Sequence, residues 1–89
     1  MKGQAFSINV PGRNGYTIYA YTPNGGENEN SVLNILQESN AFDDPQEYDF
    51  AIVEELTENE ISVFNCPMLN LETKKYTPYF QVLKDLRMA

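Results

Sequence analysis

The sequence predicts an α+β fold, in which a single domain of residues 1–89 has the element order β-β-α-β-β-α. Short runs of alternating apolar and polar residues predict the strands, and two apolar stripes with helical spacing predict the helices. A chain of 89 residues is too short to be divided between two hydrophobic cores. We therefore expect a four-stranded antiparallel sheet with two helices on one face.

A β-hairpin is predicted near the start of the chain. Apolar and polar residues alternate over 6–10, which is the pattern of a half-buried strand, and strand-forming residues fill 16–22. Asn14 and Gly15 lie between the two runs. This dipeptide favours the positive φ angles that a tight turn demands, so the two runs should pair.

Two tyrosines of the second strand are candidate contact residues. Tyr19 and Tyr21 share one face of the strand with Thr17, while Ile18 lies on the other face. Tyrosine is enriched in interface hot spots, so the pair would form a contact surface if its face is exposed. The alternation fixes which residues share a face, but it leaves open which face meets the core.

The first helix is predicted after a turn rich in proline and glycine. Its N-cap is expected at Asn30 or Ser31, and the helix should end near Asn40, before Pro45. The buried stripe of this helix consists of Val32, Leu33, Ile35 and Leu36. Their spacing places all four side chains on one side of a short helix of about three turns.

A second hairpin is predicted downstream. Residues 48–56 are rich in strand formers and should pair with 61–66 across a turn at 57–60. Pro67 ends the fourth strand because its backbone nitrogen has no hydrogen to donate. Residues 68–76 are expected to cross the sheet as an irregular segment.

The last helix has the clearest N-terminal signal. Thr77 is the expected cap, and Pro78 is the expected first helical residue. One face of this helix consists of Tyr79, Phe80, Leu83 and Leu86. Lys84 and Arg87 lie near its C-terminus, where the helix dipole favours positive charge.

The charge of the chain is concentrated in one block. The sixty residues between Arg13 and Lys74 contain no Lys, Arg or His but twelve acids, eleven of them from Glu27 to Glu60. The net charge is -7. Nucleic acids and anionic membranes are polyanions, so direct binding to either is not expected. An acidic surface instead favours solubility and attraction to a basic surface.

The inventory of reactive residues is poor. There is no His, which removes the commonest general base and metal ligand, and the single Cys66 forms neither an internal disulfide nor a Cys/His zinc site. No Walker loop is present. No apolar run reaches the length of a membrane span, and the N-terminus lacks a signal-peptide core, so we expect a cytoplasmic protein.

Two groups of residues are weaker candidates for a metal site or a nucleophile. Asp43, Asp44, Glu47 and Asp49 offer the oxygen ligands that Ca²⁺ and Mg²⁺ prefer, but the glycine and glutamate positions of an EF-hand loop are missing. A solvated acidic loop is the favoured interpretation. Cys66 would need a lowered pKa to act as a nucleophile, so a small hydrophobic side chain is the favoured interpretation there.

The leading functional hypothesis is a non-catalytic interaction module that binds a basic surface of a partner protein, such as a nucleic-acid-binding protein or a nuclease. The candidate contact residues are Asp43, Asp44, Glu47, Asp49, Glu54, Glu55, Glu58 and Glu60, with Tyr19 and Tyr21 as anchors. Small acidic domains without histidine are similar in general character to phage-encoded inhibitors that mimic the charge of nucleic acid, although no motif assigns the chain to a family. No cofactor is implied.

Three other interpretations stay open. The acidic block is by default a solvated surface that keeps a small domain soluble. The chain could alternatively be a structural or oligomeric accessory protein that self-associates through its sheet face, with Tyr19 and Tyr21 in the contact. A small enzyme that uses carboxylates and a divalent metal is the least favoured alternative.

Overall fold

A computed structural model describes residues 2–88, in which one mixed sheet of five strands carries helices on both faces. The strands are β1 (Gln4–Val10), β2 (Tyr16–Thr22), β3 (Ile52–Glu55), β4 (Met68–Asn70) and β5 (Lys75–Thr77). The helices are α1 (Glu29–Glu38), α2 (Glu58–Val63) and α3 (Tyr79–Asp85), with a short 3-10 helix at Pro45–Asp49. The order across the sheet is β3-β1-β2-β4-β5, and only the β2–β4 pair is parallel among the described strands.

The first hairpin is confirmed. β1 and β2 pair antiparallel along their whole lengths, with Gln4 opposite Thr22 and Val10 opposite Tyr16. The predicted reason for the turn is wrong in detail. The residue of the turn with a positive φ angle is Gly12, at 129°, and its carbonyl accepts a hydrogen bond from the Gly15 N–H at 3.1 Å.

Helices cover both faces of the sheet, so the prediction of two helices on one face is wrong. On the first face, Val32 of α1 packs in one buried cluster with Ile8. On the second face, Ile61 of α2 and Val82 of α3 share a separate buried cluster with Tyr21. Alternate residues of a strand point to opposite faces of the sheet. Both faces are apolar because apolar side chains occupy the even-numbered and the odd-numbered positions of β1 and β2.

The second predicted hairpin does not form. Residues 58–63 are the helix α2, which begins with Thr57 as its N-cap. The Thr57 side chain accepts from the Glu60 N–H, and the Glu60 carboxylate accepts from the Thr57 N–H. This reciprocal capping box is a signature of a helix start, and it overrides the strand propensity of the segment. β3 is left to pair antiparallel with β1 instead.

The segment expected to be irregular contains two short strands. β4 pairs parallel with β2 and antiparallel with β5. Leu69 and Leu71 are both buried in the first-face cluster. The count of four antiparallel strands was wrong because these three-residue strands are too short to show a period-two pattern.

The remaining helix boundaries differ slightly from the predicted ones. Asn28 is the N-cap of α1, and Ser31 completes the capping box three residues later. Pro78 precedes α3 without any side-chain cap, because Thr77 belongs to β5. Phe80 points away from the core, and the fully buried position of α3 is Val82.

Replacing Thr57 with Ala is expected to lower the free energy of unfolding by about 1 kcal/mol, because it removes the N-cap acceptor of α2. Urea denaturation followed by far-UV circular dichroism measures the change. Asn59→Ala is the matched control, since Asn59 is exposed on the same helix and caps nothing. Equal stability of Thr57→Ala and the wild type would contradict the capping role.

The acidic edge, a candidate partner-binding surface

β3 is an edge strand with β1 as its neighbour on one side. The Leu56 N–H donates to the Ala5 carbonyl at 2.8 Å. Because inward and outward backbone groups alternate along an antiparallel strand, Ile52 and Glu54 also point their backbone groups toward β1. Those of Val53 and Glu55 therefore point away from the sheet, where they are free to pair with another chain.

Eight acids follow the chain along this side of the sheet. They are Asp43, Asp44, Glu47 and Asp49 before β3, Glu54 and Glu55 on β3, and Glu58 and Glu60 at the start of α2. We call these eight residues the acidic edge. All are exposed except Glu47, which is half-buried. The structure thus places Glu54 and Glu55 on an open sheet edge, with the other six acids in the segments before and after β3.

Two acids before β3 hold their own loop in place. The Asp44 carboxylate accepts from the Gln46 N–H at 3.0 Å and caps the 3-10 helix. Glu47 Oε1 accepts from the Asp44 N–H at 2.9 Å and from the Tyr16 hydroxyl at 2.7 Å. The same hydroxyl accepts from the Asp43 N–H at 2.9 Å. Tyr16 therefore ties the acidic loop to the end of β2.

Two acids beyond this loop also have structural roles. Glu55 Oε1 accepts from Gln4 Nε2 at 2.8 Å, which joins β3 to the start of β1. Glu60 closes the capping box of α2. By contrast, within residues 2–88 the side chains of Asp43, Asp49 and Glu54 form no hydrogen bond or ion pair. These three acids are the ones whose neutralisation leaves the internal contacts of the fold intact.

The predicted tyrosine anchors are not a contact surface. Tyr21 is 0% exposed, so its role as an anchor is wrong. Tyr19 is half-buried and packs on Phe64, with ring centroids 5.1 Å apart. Their face of β2 is covered by α2 and α3, which the sequence did not predict as a second helical layer.

Tyr21 is instead the centre of a buried polar network. Its hydroxyl donates to Asp85 Oδ2 at 2.5 Å and accepts from Asn70 Nδ2 at 3.1 Å. Gln81 Nε2 donates to the other oxygen of Asp85 at 2.8 Å. Asp85 lies outside the charge block, and these contacts link β2, β4 and α3 through the Tyr21 hydroxyl.

The unfolding free energy is expected to fall at alkaline pH through Tyr21. Burial, and secondly the hydrogen bond to Asp85, raise the pKa of this hydroxyl above 10.0. The folded state then holds the proton more tightly than the unfolded chain, so the stabilisation is complete below pH 10.0 and is lost as the pH rises through the raised pKa. Urea midpoints measured up to about pH 11 should fall more steeply for the wild type than for Tyr21→Phe. Parallel curves would contradict this assignment.

Apolar side chains accompany the acids. Phe50 and Ile52 are each 50% exposed, one just before β3 and the other on it. Sequence reasoning counted both among the strand formers of a paired hairpin, so it did not identify them as contact residues. Only the position of β3 at the sheet edge distinguishes them from core residues.

Three of the six basic residues lie on β5, in the turn before it or on the helix after it. Lys75 is the first residue of β5, Lys74 precedes it, and Lys84 lies on α3, with its ammonium 5.9 Å from the Phe80 ring centroid. Lys74 Nζ is 3.5 Å from a Glu38 carboxylate oxygen, and both side chains are largely exposed. An exposed pair of this kind contributes little to stability. Glu54 and Glu55 therefore lie on the β3 edge, whereas Lys74 and Lys75 lie at the β5 edge, with Glu38 beside Lys74.

Two candidates for chemistry are the acids before β3 and Cys66. Across residues 2–88, no three Asp, Glu, Cys or His side chains are grouped to hold a metal ion, so Asp43, Asp44, Glu47 and Asp49 do not converge on a cation. Burial raises the pKa of the Cys66 thiol, which reduces its thiolate fraction at neutral pH. In the same described range, no helix combines the length and the hydrophobicity needed to cross a membrane.

Comparison with known proteins assigns no relative. No protein family model, no curated protein and no solved structure matches this chain.

Proposed function

We propose that this protein is a non-catalytic interaction module whose acidic edge binds a basic surface of a partner protein. The observation that carries the proposal is the spatial separation of charge, with the acids along β3 and its flanks and Lys74 and Lys75 at the far edge of the same sheet. Solubility needs negative charge somewhere on the surface, but it does not require that charge to be gathered on one edge.

The partner class follows from the chemistry of the acidic edge. A row of exposed carboxylates beside a strand resembles the charge of a polyanion, so it fits a groove whose Lys and Arg side chains would otherwise contact phosphates. Nucleic-acid-binding proteins and nucleases have such grooves. We propose that the module acts as a charge mimic that blocks one of them, in the manner of phage-type inhibitors, within the cytoplasm.

The anchors of the contact are Phe50 and Ile52 in place of the tyrosines. Interfaces are strongest where apolar side chains are buried at the centre of a charged or polar rim. Both side chains are half-exposed and flanked by Asp49 and Glu54. Their burial would contribute affinity, while the surrounding carboxylates contribute orientation and a fast encounter with a basic partner.

The rival functions have weaker support. Self-association through a sheet face has no open face to use, because helices cover both sides of the sheet in residues 2–88. A carboxylate and metal enzyme lacks a converging ligand group over the same residues. A surface that serves solubility alone is the alternative that the experiment below must distinguish.

Capture of partners at low salt tests the proposal. The immobilised wild-type chain is compared with a triple variant, Asp43→Asn, Asp49→Asn and Glu54→Gln, on the same host extract. The matched control is Glu27→Gln, Glu29→Gln and Glu38→Gln, which removes the same charge from positions outside the acidic edge. Bound proteins are identified by mass spectrometry.

We expect the wild type and the control to retain the same basic protein, and the triple variant to lose it. Equal loss of the protein from the triple variant and the control would show that total charge, and not the acidic edge, determines binding, and equal capture by all three chains would show that none of these acids contributes. Failure of the wild type to retain any specific protein would favour the solubility interpretation.

A further inference from the structure

The exposed apolar side chains gather at the two edges of the sheet. Within residues 2–88, the large hydrophobic residues that remain exposed are Phe50, Ile52, Val63, Tyr76 and Phe80. Ile52 lies on β3 and Phe50 just before it, while Tyr76 lies on β5 and Phe80 in the first turn of the helix that follows. Four of the five therefore flank an unpaired strand edge, which is where a further strand would cover them.

The charges on the two edges are complementary. β3 carries Glu54 and Glu55, whereas β5 begins at Lys75 with Lys74 before it. Pairing β3 with the β3 of another copy would bring carboxylates together, and pairing two β5 strands would bring ammonium groups together. Like charges directly opposite destabilise a strand pair, and opposite charges stabilise it. The charge pattern therefore disfavours both symmetric pairings and favours β3 against β5.

Strand directions allow this unlike pairing. β1 is antiparallel to both β2 and β3, β4 is parallel to β2, and β5 is antiparallel to β4. It follows that β5 runs antiparallel to β3. A second copy placed beside the first in the same orientation therefore brings its β5 antiparallel to β3, with the α1-covered faces of both sheets on the same side.

One register satisfies charge, burial and side-chain direction together. It pairs Glu54 with Lys75, Val53 with Tyr76 and Ile52 with Thr77, and it leaves Glu55 beside Lys74 in the turn before β5. Val53 lies opposite Ile8 on the α1-covered face, and Tyr76 lies opposite Leu69 on that face, so their side chains point to the same side of a joined sheet. The outward backbone groups of Val53 would bond those of Tyr76 in the new ladder.

We propose that copies of this chain associate head to tail, with β5 of one copy adding to β3 of the next as an antiparallel strand. The contact is heterologous, so every assembly keeps a free acidic edge at one end and a free basic edge at the other, and growth is not limited to a dimer. The inference goes beyond partner binding, because it assigns a second occupant to the acidic edge. A partner and a second copy would compete for β3.

Sedimentation velocity of the purified full chain over a concentration series at low ionic strength tests this arrangement. The wild type should show a sedimentation coefficient that rises with concentration beyond that of a dimer. Glu54→Lys/Glu55→Lys and Lys74→Glu/Lys75→Glu should each remain monomeric alone. The two pairs of substitutions change the net charge equally in opposite directions, so an equimolar mixture has the mean charge of the wild type and should associate again.

Several results would overturn the proposal. If the wild type stays monomeric at every concentration, head-to-tail association is refuted without any variant. That result would leave the partner-binding proposal standing. A limiting dimer would exclude head-to-tail growth, and a mixture of the swapped variants that stays monomeric would exclude the charge pairing. If the charge-swapped chains do not fold, the Tyr76→Ser variant is tested instead, because Tyr76 is exposed. Association of that variant to the same extent as the wild type would contradict the proposed contact.

Discussion

Neutralising Asp43, Asp49 and Glu54 together is expected to weaken binding of the captured basic partner by about tenfold, at roughly 0.2–1 kcal/mol for each exposed charge pair. The side chains of these three acids make no hydrogen bond or ion pair within residues 2–88, so their neutralisation should act on binding and not on folding. Isothermal titration calorimetry with the purified partner measures Kd, and urea denaturation checks that stability is unchanged.

The control for this loss is the variant with Glu27, Glu29 and Glu38 changed to Gln. Its net charge equals that of the triple variant, and its substitutions lie on α1 and the loop before it. It should bind the partner more tightly than the triple variant, because its three substitutions leave all eight residues of the acidic edge unchanged. Equal weakening in both variants would mean that the partner responds to net charge alone.

Replacing Tyr21 with Ala is expected to have the largest effect on stability, about 3–5 kcal/mol of unfolding free energy. The side chain is fully buried, and its removal leaves a cavity between β2 and the helices α2 and α3. It also removes the hydroxyl that bonds Asp85 and Asn70. Small domains have only about 5–15 kcal/mol of total stability, so a chain near the lower end would unfold.

Tyr21→Phe separates the two contributions. It keeps the ring and removes the hydroxyl, so we expect a loss of about 1–3 kcal/mol from the unpaired groups of Asp85 and Asn70. Urea denaturation at neutral pH compares the two variants with Tyr19→Ala, which removes a half-buried ring from the same strand face. A smaller loss for Tyr21→Ala than for Tyr19→Ala would contradict the central position of Tyr21 in the second-face core.

The parts of the fold that depend on local patterns were predictable from the sequence. The first hairpin forms as expected because alternation over a seven-residue strand fixes which side chains share a face. The second hairpin was wrong because the capping box of Thr57 and Glu60 decides that segment, and it competes with β propensity. Strand order could not be read locally, since β3 reaches β1 across more than forty residues of chain.

The candidate site shows the same division. The acids were found by counting, because charge is a property of composition. Their position on an edge strand follows from β3 pairing with β1, which is a long-range contact. Tyr21 was predicted to be an anchor because no local pattern shows that a second helical layer covers its face. Phe50 and Ile52 were missed for the converse reason, since nothing local distinguishes an exposed edge residue from a core residue.

The dependence of partner affinity on salt tests the central claim most directly. Kd for the captured partner is measured over a series of salt concentrations for the wild type and for the Asp43→Asn, Asp49→Asn and Glu54→Gln variant. We predict that the wild-type affinity falls steeply as salt rises, and that the variant falls with a shallower slope because fewer charge pairs are screened. A wild-type affinity that does not change with salt would contradict binding through the acidic edge.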